Sequence, residues 1–266
     1  MTRGWYRAVA AALALPACAA AQETCHLETI GTAKVAGVRD GRTFTLADGR
    51  VVRLAGLQVP RAARGQVHAQ AAKDALAALI SGQTITLKRA GSAPDRYGRL
   101  RTFAFAENNP GQSLNAALLA KGLARALPDD AIEGCAKPLL AAEAKARAGS
   151  LGFWADPAFA PLPAGDRARI LALRGAFALV QGKVLSVHEA GTATYVNFGR
   201  HWSRDFSVVI LRRNQRTFSA AGVEPKALDH HRIRVRGIVE QRGGPIIEAD
   251  YPEQIEITDE QARVTP

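Results

Sequence analysis

Between residues 32 and 106 the chain reads as short strand-like runs broken by one helix. Thr32–Val38, Thr43–Leu46 and Val51–Ala55 have strand length and apolar alternation, with Asp48-Gly49 as a hairpin turn between the second and third. Ala62–Ile80 sets Ala72, Ala75, Leu76, Leu79 and Ile80 at helical spacing and ends at Ser81-Gly82, after which Thr84–Lys88 and Leu100–Phe105 resume the strand pattern. Two more helices are predicted. Ser113–Lys121 closes at Gly122, and Pro138–Gly149 has Pro at its start, Gly at its end and Glu143 and Arg147 as an i,i+4 pair. Three prolines between Ala155 and Pro163 then break the pattern and read as a connector. Beyond it lie five candidate strands, Lys183–Val187, Thr194–Phe198, Ser207–Leu211, Ile233–Val239 and Ile246–Glu248, with Gln254–Ile257 as a further edge.

Composition changes this picture mainly at the N-terminus. The 266 residues, 47% hydrophobic and 22% charged, suffice for two compact cores, and outside the first segment no uncharged apolar run reaches the roughly 18 residues of a spanning helix. Arg3 and Arg7 precede the apolar run Ala8–Ala21, and Ala19-Ala20-Ala21 supplies a secretory cleavage pattern, which predicts export to the periplasm or beyond and a mature chain from Gln22. The alternative is lipid anchoring at Cys18, since Leu15-Pro16-Ala17-Cys18 loosely resembles a bacterial lipobox. Cys25 and Cys135 remain as an even pair, for which a structural bridge is expected, a free thiol or a metal ligand being the alternatives. The expected division is signal peptide 1–21, first domain 22–154, Pro-rich linker 155–165, second domain 166–258 and tail 259–266. The net charge of +11 favours polyanionic partners, nucleic acid or acidic lipid, and the excess is greater in residues 22–163 (+6) than from 164 onward (+3).

Four separated blocks carry a resemblance. VRDGRTFTLADGRVVRLAGLQVPRA, DRYGRL, SLNAALLAKGLARAL and AAEAKARAGSLGFW make the stretch from about Gly31 to Trp154 resemble the staphylococcal nuclease, or thermonuclease, family. The resemblance implies a five-stranded OB barrel with three helices, the same order of elements that the periodicity gives. The phrases YVNFG, RDFSVVI, RVRG and GPIIEADYPEQIEI resemble small OB-like modules, so the fold class expected is mainly β with α, an SNase-like barrel followed by a second small OB-like barrel.

Calcium-dependent phosphodiester hydrolysis needs hard oxygen ligands, a carboxylate base and cations that hold the phosphate. By resemblance, the first metal ligand belongs two residues after Asp40, where Arg42 stands. The second ligand and the base belong at Gln58 and Arg61. Replacing three carboxylates by two arginines and a glutamine takes the formal charge there from −3 to +2. No calcium or other cofactor is expected, because guanidinium groups repel a divalent cation. The two phosphate-binding arginines of the family do carry over, as Arg53 and as Arg99, with Tyr97 two residues before the latter. Arg42, Arg53, Arg61 and Arg99 are thus candidates for one anion site, with Tyr97 as a stacking face. The competing reading leaves Arg42 and Arg61 in solvated loops and pairs Arg53 and Arg99 with Asp95 or Asp40.

In the second half, Tyr195, Phe198, Trp202 and Phe206 are interleaved with Arg200, Arg204, Arg212 and Arg213. Strand-spaced aromatics read as core, whereas Trp202, beside His201 and Ser203 in a turn, reads as a candidate nucleic-acid contact. No GxSxG, Walker loop, CxxC or HExxH occurs, and the six histidines lack ligand spacing. Three functions remain open. One is an exported, thermonuclease-like pseudoenzyme that binds nucleic acid or another phosphorylated polyanion. The second is an active phosphodiesterase relying on Asp40, Asp95 or His68, and the third an envelope module that meets acidic membrane or a protein.

Overall fold

A computed structural model describes residues 25, 27–91, 94–132 and 134–259; the expected signal segment and Cys18 lie outside them. The first unit contains β1 (Thr29–Asp40), β2 (Thr43–Leu46), β3 (Val51–Leu54), β4 (Leu57–Gln58), α1 (Ala62–Ile80), β5 (Thr84–Arg89), β6 (Leu100–Ala106), α2 (Leu114–Ala120), β7 (Arg125–Ala126) and α3 (Ala136–Ala148). Five of these strands close into a barrel in the order β1-β2-β3-β6-β5. Closure depends on the length of β1, which pairs with β5 through its first half and with β2 through its second. The seam opposite is the parallel pair β3 and β6, in which Val52 faces Leu100.

Inward positions of this barrel are apolar: Phe44, Leu46, Val52, Leu54, Ile85 and Leu87 are all buried, and Leu76 and Ile80 of α1 pack onto them. Two polar devices fasten the helices. Ser113 caps α2 by accepting the Ala116 N–H, and the buried Asn115 amide donates to Ala55 O at 2.8 Å and accepts from Ala104 N–H at 3.2 Å. The expected Cys25–Cys135 disulfide is present, with Cα atoms 4.7 Å apart, and ties the chain before β1 to the start of α3 across 110 residues.

The second unit contains β8 (Leu162–Pro163), α4 (Arg167–Leu171), β9 (Phe177–Lys183), β10 (Ser186–Ala190), β11 (Ala193–Asn197), β12 (Ser207–Leu211), α5 (Gln215–Ala220), β13 (Arg232–Arg242), β14 (Gly244–Glu248) and β15 (Ile255–Ile257). Its sheet runs β10-β11-β12-β14-β13-β9-β8, with β15 beside β13. Between β9 and β10 stand only Val184 and Leu185. The Val184 N–H donates toward the β13 side, to His231 O, and the Leu185 N–H toward the β11 side, to Asn197 O. β9 and β10 are therefore two halves of one strand, and the sheet returns on itself in the strand order of the first barrel, again with a parallel seam, here β12 against β14. The second β domain expected from the sequence is thus OB-like in strand order. Its first strand begins earlier than the sequence pattern indicates, at Phe177, and Leu162–Pro163 joins its edge instead of spanning open space.

The barrels are joined by a buried charge network. Arg236 on β13 is 1% exposed; its guanidinium donates to Ala126 O at 3.1 Å, to Glu143 of α3 at 2.8 Å, and to Glu256 of β15. Arg147 bridges the same two carboxylates, 2.8 Å from Glu143 and 3.3 Å from Glu256, and Arg234 reaches Glu256 at 3.0 Å. Burial opposes ionisation of Glu256, but Arg236, Arg147 and Arg234 outweigh it and hold the carboxyl below its ordinary range. Leu179 of β9 adds an apolar contact with Ala146, Phe153 and Trp154.

Removing one member of such a network strands an uncompensated buried charge. Arg236→Ala is expected to destabilise the protein by about 3–5 kcal/mol in urea unfolding, and Arg236→Met with Glu143→Leu to recover most of that loss.

Candidate functional site

The turn between β1 and β2 carries Arg42 and lies against α1 so closely that a side chain at Gly41 would meet Ala72 Cβ at 2.6 Å. Asp40 fixes the turn by accepting the Arg42 N–H at 2.9 Å. From there the Arg42 side chain runs inward to β4. Its Nη1 donates to Leu57 O and stands 3.4 Å from Gln58 Oε1. The Gln58 amide in turn donates to Val59 O at 3.3 Å.

Arg53 projects from β3, three-quarters buried, with Nη1 3.9 Å from Asp95. Arg99, at the entrance to β6, is bound more tightly to the same carboxylate, Nη2 at 2.6 Å and Nε at 2.8 Å. Asp95 also accepts the N–H groups of Tyr97 and Arg99, at 3.0 and 3.1 Å. Burial opposes the charge on Asp95, but these donors prevail and its pKa lies below the ordinary range. One carboxylate thus shapes the loop and aims Arg99. Tyr97 is 64% exposed, and the guanidiniums of Arg96 and Arg99 each stand 4.9 Å from its ring centre. Arg61, immediately before α1, is exposed, and no carboxylate among the described residues pairs with it.

Electrostatics join these positions. The pKa of Arg42 is lowered to about 10, first by burial and then by Arg53, with Arg99 and Arg61 adding to the effect and Asp40 opposing it. Burial and Arg99 likewise lower that of Arg53, against Asp95, Asp129 and Asp40. Arg42 and Arg53 thus carry a penalty that an added anion would relieve. Beside Arg53 a cleft of about 150 Å³ opens, lined also by Asp95, Arg101 and Asp129.

The donor set does not suit a hard divalent cation. Where carboxylates would be needed, a guanidinium already takes the backbone carbonyl of Leu57 and faces the Gln58 amide oxygen. Among the described residues no three His, Cys, Asp or Glu side chains come together in a metal-holding group.

Other residues singled out in the sequence stand apart from this cleft. His68 Nε2 is 3.1 Å from Asp156 Oδ2, and its ring meets Phe159 edge-on at 4.8 Å, so it fastens the segment after α3 to α1. Trp202 is 77% exposed in the loop between β11 and β12, which is held by Asp205 accepting the His201 N–H at 2.9 Å. No hydrogen bond, ion pair or ring contact joins Trp202 to the four arginines among the described residues. Phe206 is buried and Phe198 packs on it at 5.2 Å, while Tyr195 is at the surface margin. Arg125 escaped the sequence reading. It sits on β7 with its guanidinium near the rings of Phe153, Trp154 and Phe159. Its signal is an arginine between alanines in an otherwise apolar run, LARAL.

The architecture of the first unit is that of a nuclease-fold domain, a closed five-stranded barrel with three helices. Residues 51–156 match the family described as staphylococcal nuclease homologue, and this part of the chain is a staphylococcal nuclease-like domain. No curated protein matches the chain.

Restoring carboxylates should restore a cation site. The triple variant Arg42→Asp, Gln58→Asp, Arg61→Glu is expected to bind calcium in calorimetry while the parent gives no heat; a folded triple variant without calcium affinity would contradict this placement of the ligand positions.

Proposed function

We propose that the first barrel binds nucleic acid or another phosphorylated polyanion through Arg42, Arg53, Arg61 and Arg99 and does not hydrolyse it. The observation that carries this reading is the Arg42 guanidinium, a built-in cation held on Leu57 O beside Gln58 and made less comfortable by three neighbouring arginines. Planar forked donors suit phosphate oxygens, and a guanidinium supplies positive charge without the exchangeable water that a bound metal would activate. Arg61 and Arg53 keep the most donor capacity, while Arg42 and Arg99 are pre-aimed by their own acceptors. Tyr97 offers an exposed ring beside them for base stacking, and Trp202 a second on the other barrel.

The groups that would have to replace the missing base are already engaged. Asp40 accepts a backbone N–H, Asp95 is saturated by Arg99 and two N–H groups, and His68 faces Asp156. Export to an oxidising compartment belongs to the same proposal. It is supported by the Cys25–Cys135 bridge, and no helix among the described residues is long and apolar enough to cross a membrane.

The test is one gel. The purified protein is incubated with end-labelled single-stranded DNA or RNA in calcium or in EDTA. Retarded, full-length strands in both buffers are expected; calcium-dependent shortening abolished by EDTA would overturn the reading.

A further inference from the structure

A second cavity, of about 240 Å³, opens between the two barrels. Its walls are mainly apolar: Phe153 and Phe159 from the segment after α3, Phe177 and Leu179 from β9. Among the lining residues there is no carboxylate; the charged side chains are Arg125 in the wall and Arg61. A cavity of about 150 Å³ holds benzene, so this one has room for one ring or two fused rings.

Arg125 is the unusual wall residue. No carboxylate among the described residues lies within ion-pair distance of it. Its Nη2 donates to Phe159 O, and its Nε has no acceptor among the described residues. The guanidinium is flanked by the rings of Phe153, Trp154 and Phe159 at 5.3 to 5.4 Å. Burial lowers its pKa to about 10, which Glu143 only partly offsets. By contrast, the neighbouring buried arginine, Arg236, is paired directly with two carboxylates, Glu143 and Glu256. An apolar wall that holds one cation without a counter-ion is complementary to an apolar molecule with one negative charge.

We infer that the cavity between the barrels binds a compact aromatic monoanion, its ring among Phe153, Phe159 and Phe177 and its carboxylate on Arg125. This cavity shares no lining residue with the cleft beside Arg53, although Arg61, which lines it, also belongs to the proposed polyanion set. Its ligand carries a single charge and an apolar body, whereas the cleft requires repeated phosphates.

Calorimetry of the whole protein with naphthoate, and with the neutral naphthalenemethanol as control, tests the inference. Naphthoate is expected to bind at least about tenfold more tightly than the alcohol, and Arg125→Met to remove that preference. Ala160→Trp fills the cavity from an exposed rim position, so it spares the core. It is expected to abolish naphthoate binding and leave retention of single-stranded DNA unchanged. Absence of naphthoate binding at millimolar concentration, or binding unaffected by Ala160→Trp, would overturn the inference. Loss of DNA retention in the parent protein would instead count against the polyanion cleft alone.

Discussion

Arg236 ties two barrels that are each closed by their own strands. A guanidinium that is 1% exposed must satisfy its charge inside the protein, and it does so with partners from both sides: Glu143 and Ala126 O of the first unit, Glu256 of the second. This constraint fixes α3 and β7 against β13. Because Arg125 stands on β7 and Leu179 on β9, it also determines the spacing of the walls of the cavity between the barrels. Buried ion pairs are weak contributors to stability as such, since desolvation cancels much of their attraction. Their effect here is geometric: any other relation of the two units would strand a charge.

The cleft on the first barrel follows a different logic. There four arginines, Arg42, Arg53, Arg61 and Arg99, stand near three carboxylates, Asp40, Asp95 and Asp129; Asp40 fixes the turn that carries Arg42, and Asp95 aims Arg99. On the proposed reading, Arg42, Gln58 and Arg61 put fixed positive charge where a divalent cation would otherwise be gathered. The fold is that of a nuclease, but fold alone does not transmit the chemistry when the groups that perform it have changed. The family match covers residues 51–156, which include Gln58 and Arg61 and leave Arg42 just before it.

Much of this was legible in the sequence because it is local. The helix Ala62–Ile80 has the bounds its periodicity implies, with a break at Gly65 that the periodicity does not show, and the strands of the first barrel follow their alternation and turns. Arg42, Arg53, Arg61 and Arg99 were locatable because short motifs fix them relative to turns. What escaped depends on distant partners. Glu143 and Arg147 read only as an i,i+4 pair, yet Glu143 is wholly buried and bonded to Arg236, 93 residues later. Phe177–Lys183 does not alternate, since its first four residues are all buried, so its start was hidden. Arg125 gives only a weak local signal, and its surroundings, the rings of Phe153, Trp154 and Phe159, come from the segment after α3.

The central claim, phosphate held by four arginines without catalysis, is tested most directly by salt dependence. Equilibrium binding of a single-stranded oligonucleotide would be measured in EDTA across a range of NaCl concentrations for the parent protein and for Arg61→Gln. Four phosphate contacts predict a slope of log K against log salt of about −2.8, and loss of one arginine a slope shallower by about 0.7. A slope near zero in the parent, or one unchanged in the variant, would contradict the account.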